Sequence, residues 1–263
     1  MSNETQPRIE IHATRSAMGT AAARHFLQQV RRVLVAKPVC RVIFGCAPSQ
    51  DEFFSGLLAE TKSEPALWSR VEVFHMDDYV GLTEQAPQSF RHYLRTHFLN
   101  HVTVARFHPI LGEAASAQAE AARYAQLLGQ APIDAIGMGL GENGHIAFND
   151  PPVADFADPL LAKVVEMDET CRQQQVNDGC FPNLDAVPRL AITITVPVFA
   201  RGGSLVCTVP GTRKARAVRG ALTDPVGPAC PGTILRIHPY AALFLDRDSA
   251  ALLAPGTIST ANE

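Results

Sequence analysis

Short apolar runs alternate with segments of helical periodicity along most of the chain, and this alternation constrains the fold more than any other feature. The runs are rich in Val, Ile and Phe, which is typical of buried strands. The segments between them repeat apolar residues three or four positions apart, as one face of a helix requires. Strands that alternate with helices predict an α/β fold, with a mostly parallel sheet and helices on both faces.

The pattern can be converted into approximate element boundaries. Strands are predicted over residues 39–45, 71–76, 133–138, 163–167, 190–196, 204–209 and 241–246, and helices over residues 14–37, 51–61, 87–101, 114–128, from about 212 and over 248–253. Residues 156–185 have few strong signals, and we interpret them as a partly mobile lid. No repeat or Pro/Gly/Ser-rich linker divides the chain, so we expect a single domain. Its expected limits are residues 14–255, between a mobile tail at 1–13 and a frayed end at 256–263.

Composition excludes several classes of function. A net charge of −3 argues against a broad basic surface for nucleic acids. No apolar run approaches the about 20 residues that span a bilayer, and the polar N-terminus is neither a signal peptide nor an anchor. The six cysteines are dispersed without CxxC spacing, which counts against a zinc ribbon or a redox dithiol. We therefore expect a cytoplasmic protein with neither nucleic-acid nor membrane partners.

A glycine-rich loop follows the predicted strand at residues 133–138. Gly139, Gly141 and Gly144 precede His145, and Asp150 follows five positions later. Glycines let the backbone turn sharply and approach a ligand closely. In open α/β sheets, ligands bind at the carboxyl ends of the strands, where this loop would lie. An imidazole and a carboxylate on such a loop predict proton transfer near neutral pH, although a histidine without a catalytic role remains the bland alternative.

Two adjacent carboxylates, Asp77 and Asp78, end the predicted strand at residues 71–76. Neighbouring strand residues face different directions, so at most one of the two is expected to point into a pocket. Asp is also common in turns and caps after strands, and from the residues alone this alternative stays open.

Two further turns carry groups that suit an anion. Residues 46–50 connect a strand to a helix, where backbone N–H groups can bind a phosphate. Residues 210–212 precede a basic helix whose first turn contains Lys214, where a bound anion would be stabilised, although Lys214 is also compatible with a solvated surface charge. The nearby Arg213, Arg216 and Arg219 are expected to face solvent or a neighbouring subunit of a homo-oligomer.

Two long motifs resemble the glucosamine-6-phosphate deaminase/isomerase family, part of a wider superfamily with the 6-phosphogluconolactonases. The motifs are residues 73–82 with 87–90, and residues 141–151; shorter blocks at 187–193 and 214–215 follow in the same order. The resemblance covers roughly residues 39–250. It implies a Rossmann-like sheet and the conversion of glucosamine 6-phosphate to fructose 6-phosphate and ammonia, without a metal or redox cofactor.

The resemblance also implies roles for individual residues. Asp77 would move a proton between C2 and C1 of the opened sugar, and His145, held by Asp150 and supported by Asn143, would protonate the ring oxygen. A base within reach of both carbons and a donor with a pKa near 7 suit these two steps. The remaining implied contacts are those to the 6-phosphate, from Cys46, Ala47, Ser49 and Lys214, and those to the rest of the substrate, from Asp78, Gly141 and Gly144.

The chain departs from the family pattern in ways that leave the substrate open. Pro48 removes one amide donor from the phosphate turn. The lid lacks an arginine where many deaminases have one, since Arg172 lies several residues too early, and Asp150 replaces the usual glutamate. The alternatives are a galactosamine-6-phosphate deaminase/isomerase, a 6-phosphogluconolactonase, or a non-catalytic regulator that binds a sugar phosphate. A metal site of His75, Glu142 and His145 is not favoured, because the spacing matches no metal motif.

Overall fold

The computed structural model describes residues 5–151 and 153–254, and a seven-stranded parallel sheet runs through its centre. The strands of this sheet are β1 (Arg8–His12), β2 (Cys40–Phe44), β3 (Val71–His75), β5 (Arg106–His108), β6 (Ala135–Met138), β9 (Leu205–Val209) and β10 (Ala241–Asp246). Their order across the sheet is β1-β10-β9-β6-β2-β3-β5, and every neighbouring pair is parallel.

In the described part of the chain, seven α-helices connect and cover the strands. They are α1 (Arg15–Ala36), α2 (Asp51–Glu60), α3 (Phe90–His97), α4 (Ala117–Gly129), α5 (Glu169–Asn177), α6 (Val196–Arg201) and α7 (Ala215–Thr223). Capping side chains fix several of the helix starts: Thr14 accepts a hydrogen bond from the amide of Ala17 at α1, and Ser116 and Asp168 do the same for α4 and α5.

The sheet separates two apolar cores, because successive strand residues point to opposite faces. In β2, Val42 and Phe44 pack with the core on the side of α1 and α2, whereas Ile43 packs with the core on the side of α4, α6 and α7. Every residue of β2 is buried, as expected for a central strand with helices on both faces. The predicted α/β fold with a mostly parallel sheet in a single domain is confirmed.

A second, three-stranded antiparallel sheet was not expected from the sequence. It consists of β4 (Asp77–Tyr79), β8 (Leu190–Ile194) and β7 (Ala162–Glu166), in that order. The predicted strand at 190–196 is therefore real but belongs to this sheet, where Thr193 pairs with Asp77. The small sheet continues directly from the carboxyl end of β3, and it places Asp77 beside the ends of the central strands.

Three predictions about chain segments were wrong. The predicted tail at 1–13 contains β1, which pairs with β10 along residues 8–12 and buries Ile9. Residues 248–253 form turns on the Asp246 side chain and carbonyl rather than a helix. Residues 156–185 were predicted to contain one strand and no helix, but they contain both β7 and the helix α5; that they act as a lid stays a prediction. Residues 1–4 and the predicted frayed end at 256–263 lie outside the described residues.

Within residues 5–151 and 153–254, no helix has both the length and the apolar character needed to span a lipid bilayer.

Candidate active site

The carboxyl ends of β2, β3, β6 and β9 open onto one cleft, as the switch-point rule for α/β sheets predicts. Its volume is about 580 Å³, including the space open to solvent, which is within the usual range for small-molecule sites. The predicted site residues that line it are Cys46, Ala47, Ser49, Asp77, Gly141, His145 and Lys214.

Asp77, the first residue of β4, follows the carboxyl end of β3 and faces this cleft. Its side chain has no hydrogen-bond or ion-pair partner within the described part of the chain, although the residue is only 6% exposed. Burial, together with the nearby carboxylates of Asp78 and Asp150, raises the pKa of Asp77 well above its ordinary value. An unpaired carboxyl group with a raised pKa is a stronger base than a solvated aspartate once it is ionised.

Asp78 points away from the cleft, so its prediction as a substrate-binding residue was wrong. Its carboxylate accepts hydrogen bonds from the Ser89 hydroxyl (2.9 Å), the Phe90 amide (3.0 Å) and Arg91 Nε (3.0 Å). Asp78 is fully buried, and it ties the start of α3 to β4. The alternation of side chains along a strand separates the two carboxylates.

The buried pair of Asp78 and Arg91 predicts a large effect on stability. We expect Asp78→Ala to lower the free energy of unfolding by about 3–5 kcal/mol, because it leaves Arg91 buried without this partner. Glu113→Gln is the matched control, since Glu113 binds the same arginine from a side chain that is 42% exposed, and its cost should stay below about 1 kcal/mol. Urea unfolding of both variants measures this, and equal small losses would contradict the assignment.

His145 is held from two sides by its own loop. Its Nδ1 lies 2.8 Å from Oδ1 of Asp150. Asn143 joins the two, because its side-chain amide donates to Asp150 Oδ1 (3.0 Å) and its carbonyl oxygen accepts from the His145 amide (3.0 Å). Nδ1 is thus engaged, and Nε2 is the ring nitrogen left for a ligand. Asn143 and Asp150 do not line the cleft themselves, so both act by positioning His145.

The two glycines predicted to contact substrate differ in their surroundings. A Cβ on Gly141 would overlap the His145 ring, so the close approach of ring and backbone requires glycine here. Gly144 has a φ of +84° and packs against Cys230 rather than the cleft, which makes its prediction as a substrate contact wrong. It is needed for the turn.

Asp150 remains ionised despite its burial. Burial opposes the charge, but the hydrogen bond and charge of His145, with hydrogen bonds from Asn143 and Cys171, prevail and lower the pKa of Asp150. Burial also raises the pKa of the Cys171 thiol well above its ordinary value, so this group stays protonated and able to donate. The ligand atoms of His145, Asp150 and Cys171 lie within 4.8 Å of one another, a grouping that could hold a metal but that the hydrogen bonds already explain.

The other end of the cleft suits an anion. Lys214 is only 7% exposed, and its ammonium group has no hydrogen-bond or ion-pair partner among residues 5–151 and 153–254. Burial lowers the pKa of Lys214, which an anionic ligand would reverse. The Ser49 side chain lines the same end, and no hydrogen bond to a described residue uses the amides of Cys46 or Ala47. We call these four residues the anion site.

One face of α5 also lines the cleft, and sequence reasoning missed it. The residues of this helical stripe that line the cleft are Gln174, Gln175 and, at the capped end of the helix, Asp178. Cys171 lies on the same stripe but donates to Asp150 instead. The Gln174 carbonyl oxygen accepts from the Glu142 amide (2.9 Å), and that of Gln175 accepts from the Tyr79 hydroxyl (2.8 Å). The capping Asp168 at the start of the stripe was a usable signal, but a polar stripe usually faces solvent.

Comparison with known proteins decides the family. The model of the family described as glucosamine-6-phosphate isomerases/6-phosphogluconolactonase matches residues 13–241. The chain belongs to this family. The resemblance seen in the two sequence motifs is therefore confirmed, and with it membership of a family of enzymes.

Individual family members differ in their similarity to the chain. A glucosamine-6-phosphate deaminase of Shouchella clausii is 31% identical over 204 residues, which cover 76% of this chain and 80% of the relative. The solved structure of a monomeric glucosamine-6-phosphate deaminase has a TM-score of 0.84 at 26% identity, over 93% of this chain and 99% of its own. The 6-phosphogluconolactonase from Trypanosoma brucei has a TM-score of 0.77 at 17% identity, over 95% and 100% respectively, and this likeness concerns the fold alone.

Proposed function

We propose that this protein converts glucosamine 6-phosphate to fructose 6-phosphate and ammonia. The observation that carries the proposal is the shared cleft, where the carboxyl of Asp77 and the imidazole of His145 lie with the ammonium of Lys214. Neither Asp77 nor Lys214 has a side-chain partner among the residues that the structure describes. One base, one acid and one anion site match the three things that this reaction needs from a protein.

The first step that the geometry supports is ring opening. With Nδ1 paired to Asp150, His145 donates the proton on Nε2 to the ring oxygen of the sugar as the bond from C1 to that oxygen breaks. A water molecule in the cleft takes the hydroxyl proton at C1, and an open-chain aldehyde results. The ionised Asp150 stabilises the imidazolium from which the proton is donated.

The second step is proton transfer between adjacent carbons. Asp77 takes the proton from C2 while the aldehyde oxygen takes one from the protonated amino group, which gives an enolamine. Asp77 then returns its proton to C1, which gives a protonated imine at C2. Water then adds to this imine and the C–N bond breaks. Ammonia departs, and a keto group remains at C2. A raised pKa suits Asp77 to both halves of the transfer, because the same group must accept and then release the proton.

The deaminase reaction is favoured over lactone hydrolysis. Relatives that are 31% and 34% identical carry the deaminase name, whereas the lactonase likeness lies in the fold. Hydrolysis of a lactone also needs no base that transfers a proton between two carbons, which is the role that the position of Asp77 supports. We further propose that the protein acts in the cytoplasm on this small phosphosugar, and that any homo-oligomer leaves the cleft accessible.

A direct assay tests the proposal. Purified protein is incubated with glucosamine 6-phosphate, and ammonia and fructose 6-phosphate are both measured; we expect equal amounts of each. If only galactosamine 6-phosphate is turned over, the proposed substrate is wrong and its epimer is the substrate. If only 6-phosphogluconolactone is turned over, the proposed reaction is wrong. Binding of the sugar phosphate without any product would overturn catalysis in favour of a regulator.

A further inference from the structure

A second cleft joins the first through the anion site. The two clefts share Ser49, Asp178 and Lys214, and the second is also lined by Arg213 and by the turn that begins at Pro210. A ligand group bound at Lys214 would therefore lie within the reach of Arg213. The guanidinium of Arg213 is half exposed and precedes the buried ammonium of Lys214 by one residue.

Arg213 is held by the end of the predicted lid segment, 156–185, and by Glu142 of the loop that carries His145. Its Nη2 lies 2.6 Å from Oδ1 of Asp178, its Nη1 donates to the carbonyl oxygen of Asn177 (3.2 Å), and its Nε lies 3.4 Å from Glu142 Oε1. Asp178 caps the end of α5. The N–H donors of the guanidinium are thus occupied by protein groups, and one of these, the Asp178 carboxylate, itself faces the anion site.

The charges near Lys214 do not suit a phosphate dianion in this arrangement. Lys214 supplies one positive charge, and the carboxylates of Asp178 and Glu142 are close enough to favour its charged form. The same carboxylates would repel a dianion. A phosphate gains most from a guanidinium, whose paired donors fit two of its oxygens.

We propose that Asp178 takes the place of the phosphate in the free protein, and that substrate binding transfers Arg213 from Asp178 to the phosphate. Arg213 is then the second cation of the anion site, and Asp178 is a residue that selects for dianionic ligands because only a stronger anion displaces it. The exchange breaks one ion pair and forms another, and no covalent bond changes. This inference deepens the proposed function and rests on it for the identity of the sugar.

Inorganic phosphate tests the exchange without any turnover. Calorimetric titration at low ionic strength is expected to give about tenfold weaker phosphate binding for Arg213→Gln and about fivefold tighter binding for Asp178→Asn. In the double variant, the gain from Asp178→Asn should largely disappear, because the released guanidinium is absent. Arg219→Gln is the matched control, since Arg219 lies on α7, is exposed and lines neither cleft.

The outcomes separate this inference from the proposed function. Unchanged or weaker phosphate binding in Asp178→Asn would overturn the exchange, as would equal binding in Arg213→Gln and Arg219→Gln, or no phosphate binding in any variant. If the phosphate results hold while no sugar is deaminated, the exchange stands and the proposed reaction fails. With an active enzyme, Arg213→Gln should raise KM for the phosphosugar far more than it lowers kcat.

Discussion

Asp77→Asn is expected to lower kcat for deamination by a factor of about 10²–10⁴, the usual loss when a general base is removed. The amide retains the shape of the carboxyl group but accepts no proton from C2. Steady-state production of fructose 6-phosphate measures the loss. Asp185→Asn serves as the control, because Asp185 is exposed and lies outside the cleft.

The same substitution is expected to increase the free energy of unfolding at neutral pH. Burial raises the pKa of Asp77 in the folded protein above its unfolded value. The folded state therefore binds this proton more tightly, and stability falls as pH rises from the unfolded pKa through the folded one. Asn removes this loss, so the difference between variant and wild type should shrink as the pH is lowered. In parallel, wild-type kcat/KM should fall on the acid side with an apparent pKa above that of an ordinary aspartate.

An Asp77→Asn variant that kept its activity would remove the base from the mechanism. One that was inactive but less stable than wild type would show that Asp77 supports the fold through contacts absent from the structure, and would weaken the catalytic interpretation of its loss.

His145→Gln is expected to lower kcat on glucosamine 6-phosphate by about 10²–10⁴, because ring opening loses its proton donor. The loss should differ in kind from that of Asp77→Asn. Sugars also open slowly in water, so the residual product that His145→Gln forms from substrate deuterated at C2 should still carry deuterium at C1. The residual product of Asp77→Asn should instead form without transfer of the C2 proton to C1 by the enzyme.

His101→Gln is the matched control for this substitution, because His101 is exposed, lies beyond the end of α3 and does not line the cleft. Full activity in His145→Gln, or equal losses in both histidine variants, would contradict the assignment of the acid. Asp150→Asn should also lower kcat, since it removes the carboxylate that fixes Nδ1.

Local sequence patterns were sufficient for the central sheet and for the loop that carries His145. The β-rich apolar runs give the strands that are buried on both faces, and the glycines that precede His145 identify the loop at a strand end. The pattern also limited Asp77 and Asp78 to one cleft residue, but it could not choose between them. The choice depends on the pairing of Asp77 with Thr193, a contact between residues more than a hundred positions apart.

The missed features have the same kind of cause. β1 alternates charged and apolar residues over a short length, and only its pairing with β10 makes it a strand. The buried face of α5 is polar, because it packs against a site rather than an apolar core. Arg213 was expected at solvent or a subunit contact, and its partner Asp178 is 35 positions away. Such contacts are decided by tertiary structure and leave no local periodicity.

The short helix α5 connects the two ends of the cleft, the proton donor at one end and the anion site at the other. Its nine residues begin near Asp150, the carboxylate that orients the acid, and end next to Asp178, the carboxylate that Arg213 is proposed to leave for the phosphate. Because a helix of this length is rigid, a displacement at one end shifts the residues at the other end. A sugar without the 6-phosphate would then bind more weakly, and it would also leave the proton donor His145 less well aligned.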